Sequence, residues 1–125
     1  MNLLDTSVAI EHLRGVEASS NLLRRLIASG EPVGASEVVR FELLAGVRHD
    51  QRDDLERFCA ALTWVPVDEP VVRAAGSLAR QYRRAYQGID DIDFLIAGTA
   101  LLLDADLLTT NVRYFPMFNG LQSPY

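Results

Sequence analysis

The chain has 125 residues, of which 49% are hydrophobic and 23% are charged, and its formal net charge is −5. This length and composition predict a single folded domain over residues 1–125 and exclude a disordered chain. The acidic balance argues against nucleic-acid binding through bulk positive charge, although a bound divalent cation would reverse the field at an acidic site.

The cysteine content and the apolar segments bear on location. Cys59 is the only cysteine, so no intramolecular disulfide forms, and we expect a buried thiol in a reducing cytoplasm. The N-terminal residues lack a basic segment followed by a long apolar run, so we expect no signal peptide. The longest apolar stretch, residues 95–103, is interrupted by Gly98 and Thr99 and is shorter than the about 20 residues of a membrane helix.

Short apolar segments alternate with segments of helical periodicity along the chain. Strands are predicted at residues 2–4, 32–35, 64–67 and 107–108, with a short terminal strand at 121–122. Helices are predicted at residues 6–14, 21–28, 37–45, 50–62, 69–86 and 92–103, with a further helical turn near Tyr114. This alternation predicts an α/β fold in which helices cover both faces of a mainly parallel sheet of four to five short strands.

Four polar side chains stand where a strand ends, where a helix begins, or on a helix face that otherwise belongs to the core. They are Asp5, Glu42, Asp93 and Asn111. Asp5 and Asn111 directly follow predicted strands, and sites in parallel sheets lie beyond the carboxyl ends of the strands. Carboxylates in such places are costly unless they are paired or bind a metal, and oxygen ligands suit Mg²⁺ or Mn²⁺. The four residues therefore predict metal-dependent phosphodiester chemistry.

Three of these positions have a purely structural alternative. Asp5 can cap the first helix, unless Thr6 or Ser7 does so and leaves the carboxylate free. Glu42 lies beside an apolar stripe and can extend into solvent instead of into a site. Asn111 can be an ordinary turn residue.

The third acidic position lies in a run of aspartates. Either Asp90 or Asp91 is expected to cap the helix that Asp93 opens, and the other is expected to be solvated. Asp91 can still add negative charge behind Asp93. The hydroxyl groups near the other acids can hydrogen-bond a ligand carboxylate. The residues predicted to support the site in these ways are Thr6, Ser7, Asp91 and Thr109.

Four motifs in order along the chain resemble those of the PIN-domain ribonucleases, in particular the VapC toxins of type II toxin–antitoxin pairs. Each motif alone is only moderately specific, but the four together span nearly the whole chain. They are Leu3-Leu4-Asp5-Thr6-Ser7, Glu42-Leu43-Leu44-Ala45-Gly46, the segment from Asp93 to Ala100, and Leu108-Thr109-Thr110-Asn111 followed by Phe115.

The resemblance implies a PIN-like α/β/α sandwich and a Mg²⁺- or Mn²⁺-dependent endoribonuclease. It implies that Asp5, Glu42 and Asp93 are the acidic catalytic and metal-binding residues. The fourth position of the family is Asp in some members and Asn in others. Here it is Asn111, which leaves three carboxylates and argues against tight binding of a second metal. Gly98 stands where Ala is commoner, and we expect this difference to affect only packing.

The resemblance also implies partners. A cognate VapB-type antitoxin is expected to neutralise the toxin, and the acidic balance of the chain is compatible with a basic side chain entering the site. A homodimer is expected, and a heterotetramer or larger assembly with the antitoxin.

The RNA backbone needs positive groups near the site. Arg113, two residues after Asn111, is the first candidate for a phosphate contact. Arg80 and Arg84 lie four apart on one predicted helix face and are further candidates, although such a face can simply be solvated.

Two other functions remain open at this level. A PIN-like module with weak catalysis, which only binds RNA or a protein, is supported by Asn111. A phosphoryl-transfer enzyme with an Asp nucleophile is less well supported. Such enzymes need a paired acid close to the nucleophile, whereas Asp5 is followed by Thr6 and Ser7, and the chain contains no lysine.

Overall fold

Two fully buried strands form the centre of the molecule. The structure, a computed structural model, describes all residues from Met1 to Tyr125. Every residue of the two central strands is buried, which requires cover on both faces of the sheet. The strands are β1 (Asn2–Leu4), β2 (Val33–Ser36), β3 (Thr63–Val65) and β4 (Asp106–Leu108).

Six α-helices connect and cover the strands. The predicted helix at 50–62 is divided into a 3-10 turn (His49–Gln51) and α4, and a second 3-10 turn spans Val112–Tyr114. The predicted helix at 69–86 ends at Tyr82. The helices are α1 (Thr6–Leu13), α2 (Glu17–Ala28), α3 (Glu37–Gly46), α4 (Arg52–Ala60), α5 (Glu69–Tyr82) and α6 (Asp91–Leu103). None of them combines the length and the hydropathy that a bilayer span needs.

The sheet has the order β3-β2-β1-β4, and all of its pairs are parallel. The predicted parallel α/β architecture is therefore confirmed with four strands. The predicted terminal strand at 121–122 is wrong. Leu121 donates its backbone N–H to the carbonyl of Phe118 in a turn, and Gly120 has a φ of 76°, so this segment lacks the extended backbone of a ladder.

The register brings three polar residues to one edge of the sheet. Leu4 is aligned with Ala35 on one side and with Leu108 on the other. The residues that follow, Asp5, Ser36 and Thr109, therefore leave the sheet at the same level. The backbone N–H of Asp5 still donates to the carbonyl of Leu108 at 2.9 Å, which holds this edge together.

Helices α5 and α6 pack closely along each other at a glycine. A Cβ atom added to Gly98 would lie 2.8 Å from the backbone nitrogen of Ala75. Such a distance is shorter than a van der Waals contact, so a side chain at position 98 would push the helices apart. The close packing fixes the position of α6, whose first turn carries Asp93.

Candidate metal centre

Asp5 directly follows β1, and only one of its carboxylate oxygens is hydrogen-bonded within the chain. It occupies the cap position of α1, but its side chain makes no capping hydrogen bond. Its Oδ2 accepts hydrogen bonds from Thr109 Oγ1 at 2.6 Å and from Ser7 Oγ at 2.9 Å. The side chain is buried at 3% exposure, yet no buried side-chain oxygen of the protein lacks a partner. Its Oδ1, which accepts nothing from the chain, therefore has access to the cleft.

The hydroxyls of Ser7 and Thr109 also connect the loop after β4 to the start of α1. Thr110 donates its backbone N–H to Ser7 Oγ at 3.1 Å, and Asn111 donates its own to Thr109 Oγ1 at 2.9 Å. Both hydroxyls therefore accept a backbone proton and donate to Asp5. This arrangement fixes the backbone of Asn111 and leaves its side-chain amide free at the cleft.

Glu42 reaches the same cleft from α3. Its Oε1 accepts a hydrogen bond of 2.5 Å from Thr6 Oγ1, and Thr6 is itself buried at 7% exposure. Glu42 is half-buried, so the carboxylate neither lies in the core nor extends freely into solvent. Its Oε2 has no partner in the chain. The alternative of a solvent-extended side chain is therefore not realised.

Asp93 occupies the first turn of α6 and is held by reciprocal hydrogen bonds. Its backbone N–H donates to Asp90 Oδ1 at 3.0 Å, and its Oδ2 accepts from the backbone N–H of Asp90 at 3.1 Å. These two bonds form a capping box. Burial raises the pKa of Asp93 to about 7; the charges of Asp90 and Asp5 act in the same direction, while the Asp90 backbone N–H opposes them. A cation at this position would relieve that repulsion.

These side chains line one cleft of about 260 Å³, and none of its lining residues is basic. Each of the three acids has one oxygen held by a donor of the chain and one oxygen without a partner. No three acidic, histidine or cysteine side chains converge into a complete ligand cage. The lining residues are Asp5, Thr6, Ser7, Ile10, Glu42, Gly88, Asp90, Asp93, Asn111 and Tyr114.

The oxygen chemistry of this cleft fits Mg²⁺ or Mn²⁺. Mg²⁺ takes few direct protein ligands and retains several waters, so an incomplete cage of carboxylates is compatible with it. Burial is the main cause of the raised pKa of Asp93, and the charges of Asp90 and Asp5 add to it in a cleft that no basic side chain lines. Asp5, Glu42 and Asp93 can supply the charged oxygens, and Asn111 can supply a neutral one.

The structure does not bring Asp91 to the cleft as a support for Asp93. Asp91 is exposed and does not line the cleft; its Oδ1 accepts a 2.5 Å hydrogen bond from Arg83 Nη2 instead. Its neighbour Asp90 is the residue that caps α6 and lines the cleft. Successive helical residues point about 100° apart, so a shift of one position moves the carboxylate to another surface.

The three candidate RNA contacts lie outside the cleft. Arg80 on α5 and Arg84 in the turn after it line a separate groove, so the two do not share a helix face as predicted. Neither forms a salt bridge. Arg113 is exposed and packs over the ring of Tyr114. Tyr114 itself lines the cleft and was not predicted, because the sequence gives no signal for the side to which an aromatic residue in a short turn points.

The fold and the cleft together define the class: a three-layer α/β protein with an acidic site at the carboxyl edge of its parallel sheet. The PIN domain family matches residues 3–117. Ribonuclease VapC19 of Mycobacterium tuberculosis is 57% identical over 125 residues, with 100% of each chain covered. Ribonuclease VapC10 of the same organism is 40% identical and covers 100% of this chain and 93% of its own.

A toxin–antitoxin complex from Klebsiella pneumoniae contains a chain of similar structure. The TM-score is 0.84 at 20% identity, and the match covers 100% of this chain and 98% of the other. At this identity the likeness supports the fold. The chain belongs to the PIN-domain family, and within it to the VapC proteins.

Proposed function

We propose that this protein is a metal-dependent endoribonuclease, the toxin of a VapBC-type toxin–antitoxin pair, which hydrolyses RNA phosphodiester bonds. The observation that carries the proposal is the cleft in which Asp5, Glu42 and Asp93 each have one fixed oxygen and one free oxygen. Mg²⁺ is the proposed cofactor, with Mn²⁺ as a substitute, held by these three carboxylates. Asn111 acts as a neutral ligand or orients a water. The names of the 57% and 40% identical relatives support ribonuclease activity.

The hydroxyls of the cleft orient the acids and do not attack the substrate. Thr6 donates to Glu42, and both Ser7 and Thr109 donate to Asp5, so these protons are already engaged. No histidine lines the cleft to act as a general base. When bound, the metal supplies Lewis-acid chemistry at the phosphate and lowers the pKa of water. Water is therefore the proposed nucleophile, and no covalent enzyme intermediate is expected.

Arginines around the cleft are proposed to hold the RNA backbone. Arg113 lies beside the cleft residue Tyr114, and it is the first proposed phosphate contact. Arg80 and Arg84 line their own groove at the C-terminal end of α5 and form no salt bridge, so both guanidinium groups are free to meet phosphate. These contacts would position RNA without selecting a sequence.

A VapB-type antitoxin is the proposed protein partner. The toxin–antitoxin complex with a chain of the same fold supports such a partner, as does the net charge of −5, which favours a basic one. We further propose a homodimer of single-domain chains over residues 1–125, and a heterotetramer or larger assembly with the antitoxin. The free thiol of Cys59 is compatible with the proposed cytoplasmic location.

Asn111 favours a second candidate, a PIN module with weak catalysis that binds RNA or a protein. A neutral fourth side chain and the absence of a complete ligand cage both lower the expected metal affinity. This module would retain the cleft and the RNA contacts but would cleave little.

One incubation separates the two candidates. The purified protein, free of antitoxin, is mixed with total cellular RNA in Mg²⁺ or Mn²⁺, with EDTA and an Asp93→Asn variant as controls. Discrete fragments that disappear in both controls would establish the endoribonuclease, and their mapped ends would identify the substrate. Intact RNA together with measurable RNA binding would favour the binding module.

A further inference from the structure

Tyr114 is the only aromatic side chain in the acidic cleft. It ends the 3-10 turn after Asn111 and donates its backbone N–H to the carbonyl of Asn111 at 3.0 Å. The next residue, Phe115, is buried at 1% exposure and anchors the turn in the core. The ring of Tyr114 therefore has a fixed place beside the carboxylates, and it remains partly exposed.

Arg113 places a second flat group on this ring. Its guanidinium carbon lies 4.8 Å from the ring centroid of Tyr114, and its Nη2 donates a hydrogen bond of 2.8 Å to the tyrosine hydroxyl. On another side, a Cβ atom at Gly88 would come within 3.4 Å of the ring, and Gly88 has a φ of 92°. The φ of 92° accounts for the glycine at this position, and its backbone lies beside the ring.

The charge of the cleft limits how RNA can be held there. None of the lining residues is basic, the chain has a net charge of −5, and it contains no lysine. Phosphates alone would be repelled by Asp5, Glu42 and Asp93 in the absence of a cation. Stacking of a base on an aromatic ring does not depend on net charge and accepts any base.

We infer that Tyr114, supported by Arg113, is a stacking subsite for one unpaired RNA base next to the acidic cleft. The inference rests on the proposed function and adds a residue that binds the substrate beside the acids. A base in a duplex is already stacked and paired, so the ring is available to a base that has left its duplex partner.

The test compares two oligonucleotides that carry the same charge. One is a short random-sequence RNA, and the other is an abasic ribose-phosphate chain of the same length. Binding to the full-length protein is measured in EDTA, so that the result does not depend on cleavage. Repulsion by the acids affects both chains equally, and the ratio of their dissociation constants reports the bases alone. We expect the wild type to bind the base-bearing RNA roughly fivefold to hundredfold more tightly.

Three variants test whether this ratio of dissociation constants depends on the ring of Tyr114. Tyr114→Leu is expected to bring the ratio close to one. Tyr114→Phe keeps the ring, and most of the wild-type ratio is expected to remain. Tyr125→Leu is the matched control, because Tyr125 is an exposed tyrosine whose hydroxyl is also hydrogen-bonded, here to Glu11, but it does not line the cleft. Thermal melting of each variant shows that the fold is retained.

Two results would overturn the inference, whether or not the protein cleaves RNA. One is a wild-type protein that binds neither chain, or binds both with equal affinity. The other is a Tyr114→Leu variant that melts normally and keeps the wild-type ratio. The proposed function fails by a different measurement, the absence of Mg²⁺- or Mn²⁺-dependent fragments, so the two failures are distinguishable.

Discussion

Helices α5 and α6 both begin with a capping aspartate but place different side chains behind it. Asp68 accepts a hydrogen bond from the backbone N–H of Val71 at 3.2 Å, and Asp90 accepts one from Asp93 at 3.0 Å. Val71 is buried at 4% exposure and serves the packing of α5. Asp93 is a half-buried carboxylate at the cleft, and its pKa is raised to about 7.

The same kind of helix start therefore serves two purposes in this molecule. At α5 the cap stabilises the helix by about 1 kcal/mol, and the residue behind it belongs to the core. At α6 a second, reciprocal hydrogen bond also fixes an oxygen of Asp93, at the edge where Asp5 leaves the sheet. The tertiary position of the helix start, and not the capping sequence, decides whether the first turn has a chemical role.

Asp93→Asn gives the largest expected effect. Asn retains an oxygen that can accept the Asp90 N–H but removes the charge that the metal needs. We expect metal-dependent RNA cleavage to fall by at least about a hundredfold, because ligands of a catalytic metal matter more than the residues around them. Initial rates of RNA cleavage in Mn²⁺ measure this fall, with Asp68→Asn at the start of α5 as the control. A rate within about threefold of the wild type would remove Asp93 from the site.

Thr6→Val tests whether the hydrogen bond that holds Glu42 Oε1 is needed for cleavage, as the bond that holds Asp93 is expected to be. The substitution keeps the shape of the side chain and removes the donor to Glu42 Oε1. We expect cleavage to fall by about tenfold to a hundredfold, with a matching loss of Mn²⁺ affinity by calorimetry.

Thr99→Val is the matched control for Thr6→Val. Thr99 is a buried threonine whose hydroxyl bonds the carbonyl of Leu95 and touches no carboxylate. Equal losses of cleavage in the two variants would indicate general destabilisation of the fold.

Asp90→Ala and Asp68→Ala compare the two caps directly. Each variant is expected to lose about 1 kcal/mol of unfolding free energy, because each loses one capping hydrogen bond. Only Asp90→Ala is expected to lower cleavage, by about tenfold, since only this cap orders the turn that carries Asp93. Asp90→Ser restores a capping oxygen and should recover most of the rate. Equal rates for the two Ala variants would contradict the chemical role of the α6 start.

The pH dependence of stability gives the smallest expected effect. The pKa of Asp93 rises from 3.8 to about 7 on folding, so the folded state binds more protons than the unfolded state between these values. Unfolding free energy therefore falls as pH rises through this window, and full stability from this group is present below its unfolded pKa. After discounting for partial exposure we expect a fall of about 1–2 kcal/mol.

Urea unfolding at several pH values measures this fall. Asp93→Asn should flatten it, and Mg²⁺ should reduce it by binding the folded state. A fall that persists unchanged in Asp93→Asn would assign the titration to another group.

Part of the site follows from the sequence for a clear physical reason. Asp5 and Asn111 directly follow apolar strand segments, and parallel strands bring their carboxyl ends to one edge. Glu42 was predicted because a carboxylate beside an apolar helix face needs a compensating contact, which Thr6 supplies. The three helix starts at Ser36, Asp68 and Asp90 carry ordinary capping signals, and each makes its capping hydrogen bond.

The remaining features depend on contacts that the sequence does not record. Asp90 and Asp91 are both acids at a helix start, and only the rotation of α6 on the sheet decides which one faces the cleft. The apolar residue Leu121 favours a strand, but the turn from Phe118 withdraws its backbone from the sheet. The direction of the Tyr114 ring depends on Gly88 and Arg113, which lie near it only after folding.

The contact between Gly98 and Ala75 limits the order in which substitutions can accumulate. Any side chain at position 98 meets the backbone of α5, so it is acceptable only after the two helices have moved apart. A mutation that arrives first at position 98 would displace α6, and with it the carboxylate five residues earlier. Because the nearest atoms belong to the backbone of residue 75, no substitution at that position alone makes room for a side chain at 98, and a change there has to be preceded by a wider spacing of the two helices.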